Sequence, residues 1–294
     1  MPAQGTVTPP TLDDCQAVIE DPRPRTIVVT GRTGAGKTTL AATLFADLTD
    51  TLSGATAKNI TLDGAVWLLS DDQGLVSLTV DKIRPQYVID LRALLSRADG
   101  DMGQVLRWAL RLLIEAKDAG ASGVVWDTVT SLGAMLERWY VHGGGCPMTT
   151  RGADTRGGWG LIGNKYFELF DSILALGYRQ VILAQPKANG VEEAADERGA
   201  SQWDKAKAVV SGTAGENLII PAVSGQSFYR VLMAQCSLSG WLRAEDVKGQ
   251  RQYAWMPYGG DGSQSKNRYA RILDRIEPAD LAAMDKKILA AVHG

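Results

Sequence analysis

Residues 26–38 read Thr26-Ile-Val-Val-Thr30-Gly31-Arg-Thr-Gly-Ala-Gly36-Lys37-Thr38, and this stretch decides the fold. A short β-branched run that ends in glycine reads as a buried strand. Gly31 to Thr38 then fits G-x-x-x-x-G-K-[ST] at every fixed position. It sits between a strand and an expected helix, the context this phosphate-binding motif requires. Glycines let backbone N–H groups curl around phosphate oxygens without side-chain clashes. The helix that begins there adds the positive end of its dipole. Gly31, Arg32, Thr33, Gly34, Ala35, Gly36, Lys37, Thr38 and Thr39 are therefore the expected nucleotide-binding residues. Within them Lys37 can neutralise the β- and γ-phosphates, and the Thr38 hydroxyl can hold Mg²⁺.

Outward from this loop, buried strands are expected at 65–70, 86–90, 123–127 and 180–184. Helices are expected over 37–48, 103–119, 131–140 and 164–176, and a last amphipathic helix over 278–292. Residues 141–163 and 186–216 are rich in glycine and small or polar residues and read as long loops. Short strand-like runs follow at 228–234, 241–244, 252–255 and 269–273. Strands that alternate with helices mean an α/β fold, a mainly parallel sheet with flanking helices on both faces. The closely spaced late strands are expected to be antiparallel. Pro2, Pro9, Pro10, Pro22 and Pro24 mark 1–24 as a flexible leader. Residues 25–294 then form a single domain, with 226–294 as its extension.

Composition narrows the function classes. With 45% apolar residues the chain can bury a large core, which excludes a mostly disordered protein. The 31 basic and 33 acidic residues leave a net charge of −2, which excludes a globally basic nucleic-acid coat but not a local basic stripe. Cys15, Cys146 and Cys236 are far apart and lack metal spacing, so a reducing, cytoplasmic setting is expected. His142 and His293 have no metal-type partners. No apolar run reaches about 18 residues, so neither a membrane span nor a membrane partner is expected. The polar start lacks the pattern of a signal peptide.

A phosphate loop needs an acid near its magnesium. Asp127 closes the apolar run Val124-Val-Trp-Asp127 and is expected to organise the ion with Thr38. Asp71-Asp72-Gln73-Gly74 matches the D-x-x-G used by GTPases. The N-K-x-D motif that reads guanine has only one near match, Asn164-Lys165-Tyr166-Phe167, and there the acid is missing. ATP is thus the expected nucleotide, and Asp71 or Asp72 is free to orient the attacking water. Gln185, at the end of the next strand, should face the same crevice. Its amide can bond a γ-phosphate and lose that bond on hydrolysis.

With these three strand ends, the chain resembles RecA-like ATPases. More narrowly it resembles phage-encoded P-loop nucleotide-binding proteins linked to single-strand annealing recombination. The resemblance runs from about Arg25 to Leu273. It rests on Gly31–Thr38, residues 67–78, Val124–Leu132 (VVWDTVTSL) and Val181–Lys187 (VILAQPK), with Pro221-Ala-Val-Ser-Gly225 and Lys266-Asn-Arg268 later. It implies a RecA-like P-loop NTPase core with antiparallel strands at the C-terminal end, and ATP hydrolysis with Mg²⁺. The water-activating acid would fall on Asp71 or Asp72, where the family more often has glutamate, and the γ-phosphate sensor on Gln185. Single-stranded DNA would meet 187–216, with Lys187, Lys205 and Lys207, and 141–163, with Arg151 and Arg156. A head-to-tail homo-oligomer, ring or filament, is implied as well. In it Lys266 and Arg268, on one face of a late strand, would reach a neighbour's γ-phosphate. A phage-encoded chain would work in the host cytoplasm.

Trp159 and Trp203 could add stacking to the basic groups. Asp154, Glu192, Glu193, Asp196, Glu197 and Asp204 dilute that charge. Three other readings share the phosphate loop. A ring motor, helicase or packaging ATPase, would show processive strand movement. A small-molecule kinase would carry a basic lid and an acceptor pocket. A nucleotide-gated binding module would bind ATP without hydrolysing it.

Overall fold

The structure, a computed structural model, describes residues 21–46, 48, 59–70, 75–140, 156–188, 219–223, 226–247, 250–257 and 266–293. In chain order the first half comprises β1 (Thr26–Thr30), α1 (Lys37–Ala42), β2 (Ile60–Leu69), α2 (Val76–Val80), β3 (Ile83–Asp90), α3 (Leu91–Arg97) and α4 (Met102–Asp118). Then come β4 (Gly123–Asp127), α5 (Val129–Tyr140), α6 (Arg156–Ala175), β5 (Arg179–Ala184), β6 (Pro186–Ala188) and β7 (Ile219–Pro221). The last part holds α7 (Gln226–Gln235), β8 (Leu238–Val247), β9 (Gln250–Met256), β10 (Lys266–Asn267), β11 (Glu277–Pro278) and α8 (Leu281–His293).

One sheet organises the molecule, in the order β11-β9-β8-β1-β5-β4-β2-β3, with β10 also on β8. The six strands from β8 to β3 are parallel. β9, β10 and β11 pair antiparallel. β1, β4 and β5 are apolar and almost wholly buried, as central strands covered on both faces must be. Alternation divides their side chains between two cores. Val28, Val124, Trp126 and Ile182 face α4, α5, α6 and α7. Ile27, Val29, Trp67, Val125 and Leu183 face α1, α2 and α8. The expected α/β architecture, a mainly parallel sheet with flanking helices and antiparallel late strands, is the fold observed. No helix among the described residues is long and apolar enough to cross a membrane.

Several local expectations are corrected. α1 stops at Ala42 rather than 48. The Thr43 hydroxyl bonds the Leu40 carbonyl and receives the N–H of Leu281, so tertiary contact with α8 closes the helix early. Residues 228–234 are helical, not a strand: Phe228 and Leu232 are buried while Arg230 is exposed, a period of four rather than two. Residues 269–273 form turns in which Ile272 and Leu273 N–H groups both return to the Tyr269 carbonyl. α6 begins at Arg156 rather than 164, so part of the expected glycine-rich loop is helix. The expected 186–216 loop opens as β6, which pairs antiparallel with β7. Residues 1–20 lie outside the described residues, while the carbonyls of Pro22 and Pro24 accept bonds from Tyr269 and Arg179.

Candidate nucleotide-binding site

The phosphate loop leaves the sheet at the end of β1, where the Gly31 N–H donates to the Ala184 carbonyl on β5 at 3.3 Å. Ala35 N–H returns to the Arg32 carbonyl at 3.1 Å and closes the turn. Gly34 (φ 74°) and Gly36 (φ 83°) take the left-handed conformation that only glycine adopts cheaply. Gly36 has a second reason to be glycine, because a Cβ there would lie 2.9 Å from the Tyr253 ring on β9.

Lys37 is buried and turned back into the loop. Its Nζ donates to the carbonyls of Gly31 (2.8 Å) and Arg32 (3.0 Å). Burial pushes its pKa down to about 8, against the opposing pull of the Asp127 carboxylate. The ammonium is thus cradled by the loop's own carbonyls, which phosphate oxygens can replace as acceptors.

Thr38 and Asp127 meet although β5 separates β1 from β4 in the sheet. The Thr38 hydroxyl donates to Asp127 Oδ2 at 3.0 Å. The indole N–H of Trp67 donates to the same oxygen at 3.2 Å. Asp127 is only 2% exposed, so these donors fix its carboxylate in a largely dry setting. A hydroxyl and a carboxylate converging beside a lysine form a hard-oxygen donor set that fits Mg²⁺. A brace holds the strand ends around them. Ser70 Oγ donates to the Thr128 carbonyl and accepts from the Thr128 N–H, and Ser70 N–H donates to the Asp127 carbonyl.

Gln185 follows β5 directly. Its Oε1 accepts from the Thr33 hydroxyl at 3.4 Å, which brings the amide against the phosphate loop. Its backbone N–H donates to Thr130 Oγ1 at 2.9 Å, and Thr130 Oγ1 donates to the Ala222 carbonyl at 2.7 Å. Ala222 N–H closes the ring on the Gln185 carbonyl at 2.7 Å. Gln185 therefore stands at the foot of the β6–β7 ribbon that brackets 189–218.

The structure thus gathers Gly31 to Thr38, Asp127 and Gln185 at one end of the parallel strands. It places Lys266 and Arg268 elsewhere in the chain. Lys266 lies on the two-residue β10 and Arg268 in the turn after it, and the two side chains still share one face, as their spacing predicts. Lys266 Nζ donates to the Met233 carbonyl at 2.9 Å and to that of Ala234, and Arg268 donates to Ala234 at 3.3 Å. Both cations meet the C-terminal end of α7, where the dipole favours them. α7 packs on the opposite face of the sheet from α1. Asp71, Asp72, Arg151, Lys205 and Lys207 lie outside the described residues, as do the side chains of Arg156 and Trp159. Lys187 is exposed on β6.

Sequence reasoning left Trp67, Thr130 and Tyr253 without a role at the site. Trp67 sits among apolar residues and reads as core, and nothing local shows where its N–H points. Thr130 carries no motif, and Tyr253 reaches Gly36 only through the pairing of β9 with β8.

A family model described as an AAA domain matches residues 23–218. No curated protein matches the chain. Among solved structures, the chain is similar to the crystal structure of a KaiC-like protein from the hyperthermophilic archaeon Pyrococcus horikoshii. The two share 11% identity over 79% of this chain and 77% of that one, with a TM-score of 0.35.

Proposed function

The chain belongs to the AAA domain family, as a P-loop ATPase domain, and we propose that it is a Mg²⁺-dependent ATPase that acts on single-stranded DNA in recombination or replication. In this reading it works in the cytoplasm, a host's cytoplasm where the chain is phage-encoded, and assembles head to tail as a ring or filament. The observation that carries the DNA reading is the ring of bonds through Gln185, Thr130 and Ala222. It ties the phosphate loop, through Thr33, to the ribbon that brackets 189–218. A change of acceptor at the Gln185 amide therefore has a short covalent and hydrogen-bonded route to that segment.

The residues divide the work of hydrolysis. Loop N–H groups and Lys37 bind the phosphates, and Lys37 exchanges two carbonyl acceptors for phosphate oxygens. Thr38 and Asp127 would hold Mg²⁺, which when bound neutralises charge on the β- and γ-oxygens. Asp71 or Asp72, next along the chain from Ser70, is placed by sequence to orient the attacking water. Gln185 senses whether a γ-phosphate is present. In an assembly, Lys266 and Arg268 would supply positive charge to a neighbour's site.

The test is ATP hydrolysis at saturating Mg²⁺, with and without an oligodeoxythymidine strand, beside Lys37→Ala. Stimulation by the strand, absent in the variant, is the expected result. Hydrolysis that ignores the strand would refute the DNA role and leave the ATPase assignment intact. Sedimentation with ATP present tests assembly separately.

A further inference from the structure

The phosphate loop lies between two walls, and the second wall carries an aromatic ring. β5 and β4 give the first, with Gln185 and Asp127. The β8–β9 hairpin gives the second. β1 ends at Thr30, opposite Trp241 of β8. β8 runs on to Val247, about 20 Å further at ~3.3 Å per residue, and β9 stays paired with it over that length. The hairpin therefore stands past the end of β1, beside the phosphate loop.

It meets the loop at both fixed glycines of the motif. A Cβ on Gly31 would lie 3.0 Å from the Leu242 carbonyl oxygen of β8, and one on Gly36 would lie 2.9 Å from the Tyr253 ring of β9. Tyr253 and Trp255 share one face of β9. Trp255 is fully buried in the core that also holds α1 and α8. Tyr253, the next residue outward on that face, has left the core. It is 44% exposed although it packs on Gly36, so its ring remains within reach of a ligand in the loop.

The site also has a direction. The terminal phosphate belongs with Thr38, Asp127 and Gln185, on the β5 and β4 side of β1. The nucleoside end of a bound triphosphate then leaves the loop on the other side of β1, where β8 and β9 stand. We propose that Tyr253 is the platform on which the nucleobase of the bound triphosphate stacks. This rests on the ATPase reading of the phosphate loop and adds which residue holds the base, and by what property. A ring face registers the area of a base rather than its donors and acceptors. Tyr253 therefore contributes equally to adenine and guanine nucleotides, and less to those of the smaller pyrimidines.

The test is calorimetric titration of the full chain, in Mg²⁺, with the imido analogues of ATP and GTP and with inorganic tripolyphosphate. Tyr253→Ala should weaken both analogues about tenfold, the size of one lost base stack, and leave tripolyphosphate, which has no base, within about twofold. Tyr253→Phe keeps the ring and should bind all three as the parent does. An alanine variant that binds the analogues as tightly as the parent would overturn the proposal and leave the ATPase reading intact. An equal loss for tripolyphosphate would overturn it too, since Tyr253 would then only shape the loop at Gly36. So would a phenylalanine variant as weak as the alanine one, because the hydroxyl and not the ring face would carry the contact. A parent chain that binds none of the three would refute the ATPase reading itself, and this proposal with it.

Discussion

Thr38 donates its hydroxyl proton to Asp127 Oδ2 at 3.0 Å, although a whole strand, β5, lies between the strands that lead to them. The contact exists because all the central strands are parallel, so their C-terminal ends collect at one edge. A turn leaving β1 and an acid ending β4 are thereby brought into one crevice. Local sequence makes the turn, and only the sheet order makes the pair.

The Trp67 indole shares that oxygen, and its contribution is separable. Trp67→Phe keeps most of the apolar bulk and deletes the N–H that bonds Asp127 at 3.2 Å. Trp67 is fully buried, so the smaller ring should cost about 2–3 kcal/mol of stability. The carboxylate also loses one of its fixed donors. The Mg²⁺ concentration for half-maximal ATP hydrolysis should rise about three- to tenfold, with a smaller fall in the rate at saturating Mg²⁺. An unchanged Mg²⁺ profile in a folded variant would reduce Trp67 to packing alone.

Lys37 should give nucleotide binding a pH dependence in an unusual range. Its pKa is pushed down to about 8 by burial, from an ordinary 10.5. Below pH 8 the folded loop carries the charge that phosphate needs, and above it the charge is lost. Affinity for the imido analogue of ATP should therefore weaken by about tenfold between pH 7.5 and 9.5, with proton uptake on binding near pH 9. The unfolded chain holds this proton up to about pH 10.5, so stability of the free protein should gain from this group as pH rises from 8 to 10.5. Lys37→Arg, which cannot titrate there, should bind more weakly but with a flat profile. Calorimetry in two buffers of different ionisation enthalpy reads the proton directly. A flat profile in the unmodified chain would show that Lys37 keeps its ordinary charge.

The last helix is held by an ion pair rather than by apolar contact alone. Arg179 at the start of β5 meets both oxygens of Asp285 on α8, at 2.6 and 2.9 Å, and bonds the Pro24 carbonyl through Nε at 3.0 Å. The side chains are only 17% and 12% exposed, so removing one partner strands a poorly hydrated charge. Asp285→Ala should cost about 2–4 kcal/mol and lower the melting temperature by roughly 5–10 °C. The double variant Arg179→Met/Asp285→Leu should recover much of that loss. Equal melting temperatures for the single variant and the parent would mean that the pair contributes little.

The parts of this molecule that could be read from its sequence are those set by local pattern. The strand at Thr26–Thr30, the glycines of the loop and the buried run ending in Asp127 each carry their own signal in period and composition. What stayed hidden depends on contacts between distant segments. Phe228–Ala234 looks like a strand because its run of large apolar residues suits either period, and burial of Phe228 with Leu232 against α6 selects the helix. Lys266 and Arg268 have strand spacing in sequence, but the carbonyls at the end of α7 take both head groups. Thr130 reads as an ordinary first-turn threonine until β7 brings Ala222 beside it.

That threonine gives the sharpest test of coupling between nucleotide and the β6–β7 ribbon. Thr130→Val preserves shape and removes the hydroxyl that accepts from Gln185 N–H and donates to the Ala222 carbonyl. Both groups are left short of a partner, at a cost of about 1–3 kcal/mol. The phosphate loop makes no direct bond to Thr130 among the described residues, so affinity for the imido analogue should stay within about twofold. If single-stranded DNA stimulates hydrolysis as proposed, that stimulation should fall at least about tenfold, because the Thr130 bridge between Gln185 and Ala222 is lost and only the direct Ala222 N–H to Gln185 carbonyl bond remains across the ring. Thr130→Ser, which keeps the hydroxyl, should restore most of the stimulation, and this rescue distinguishes coupling from general damage. If the valine variant is stimulated as strongly as the parent, the link from Gln185 to 189–218 does not run through this side chain.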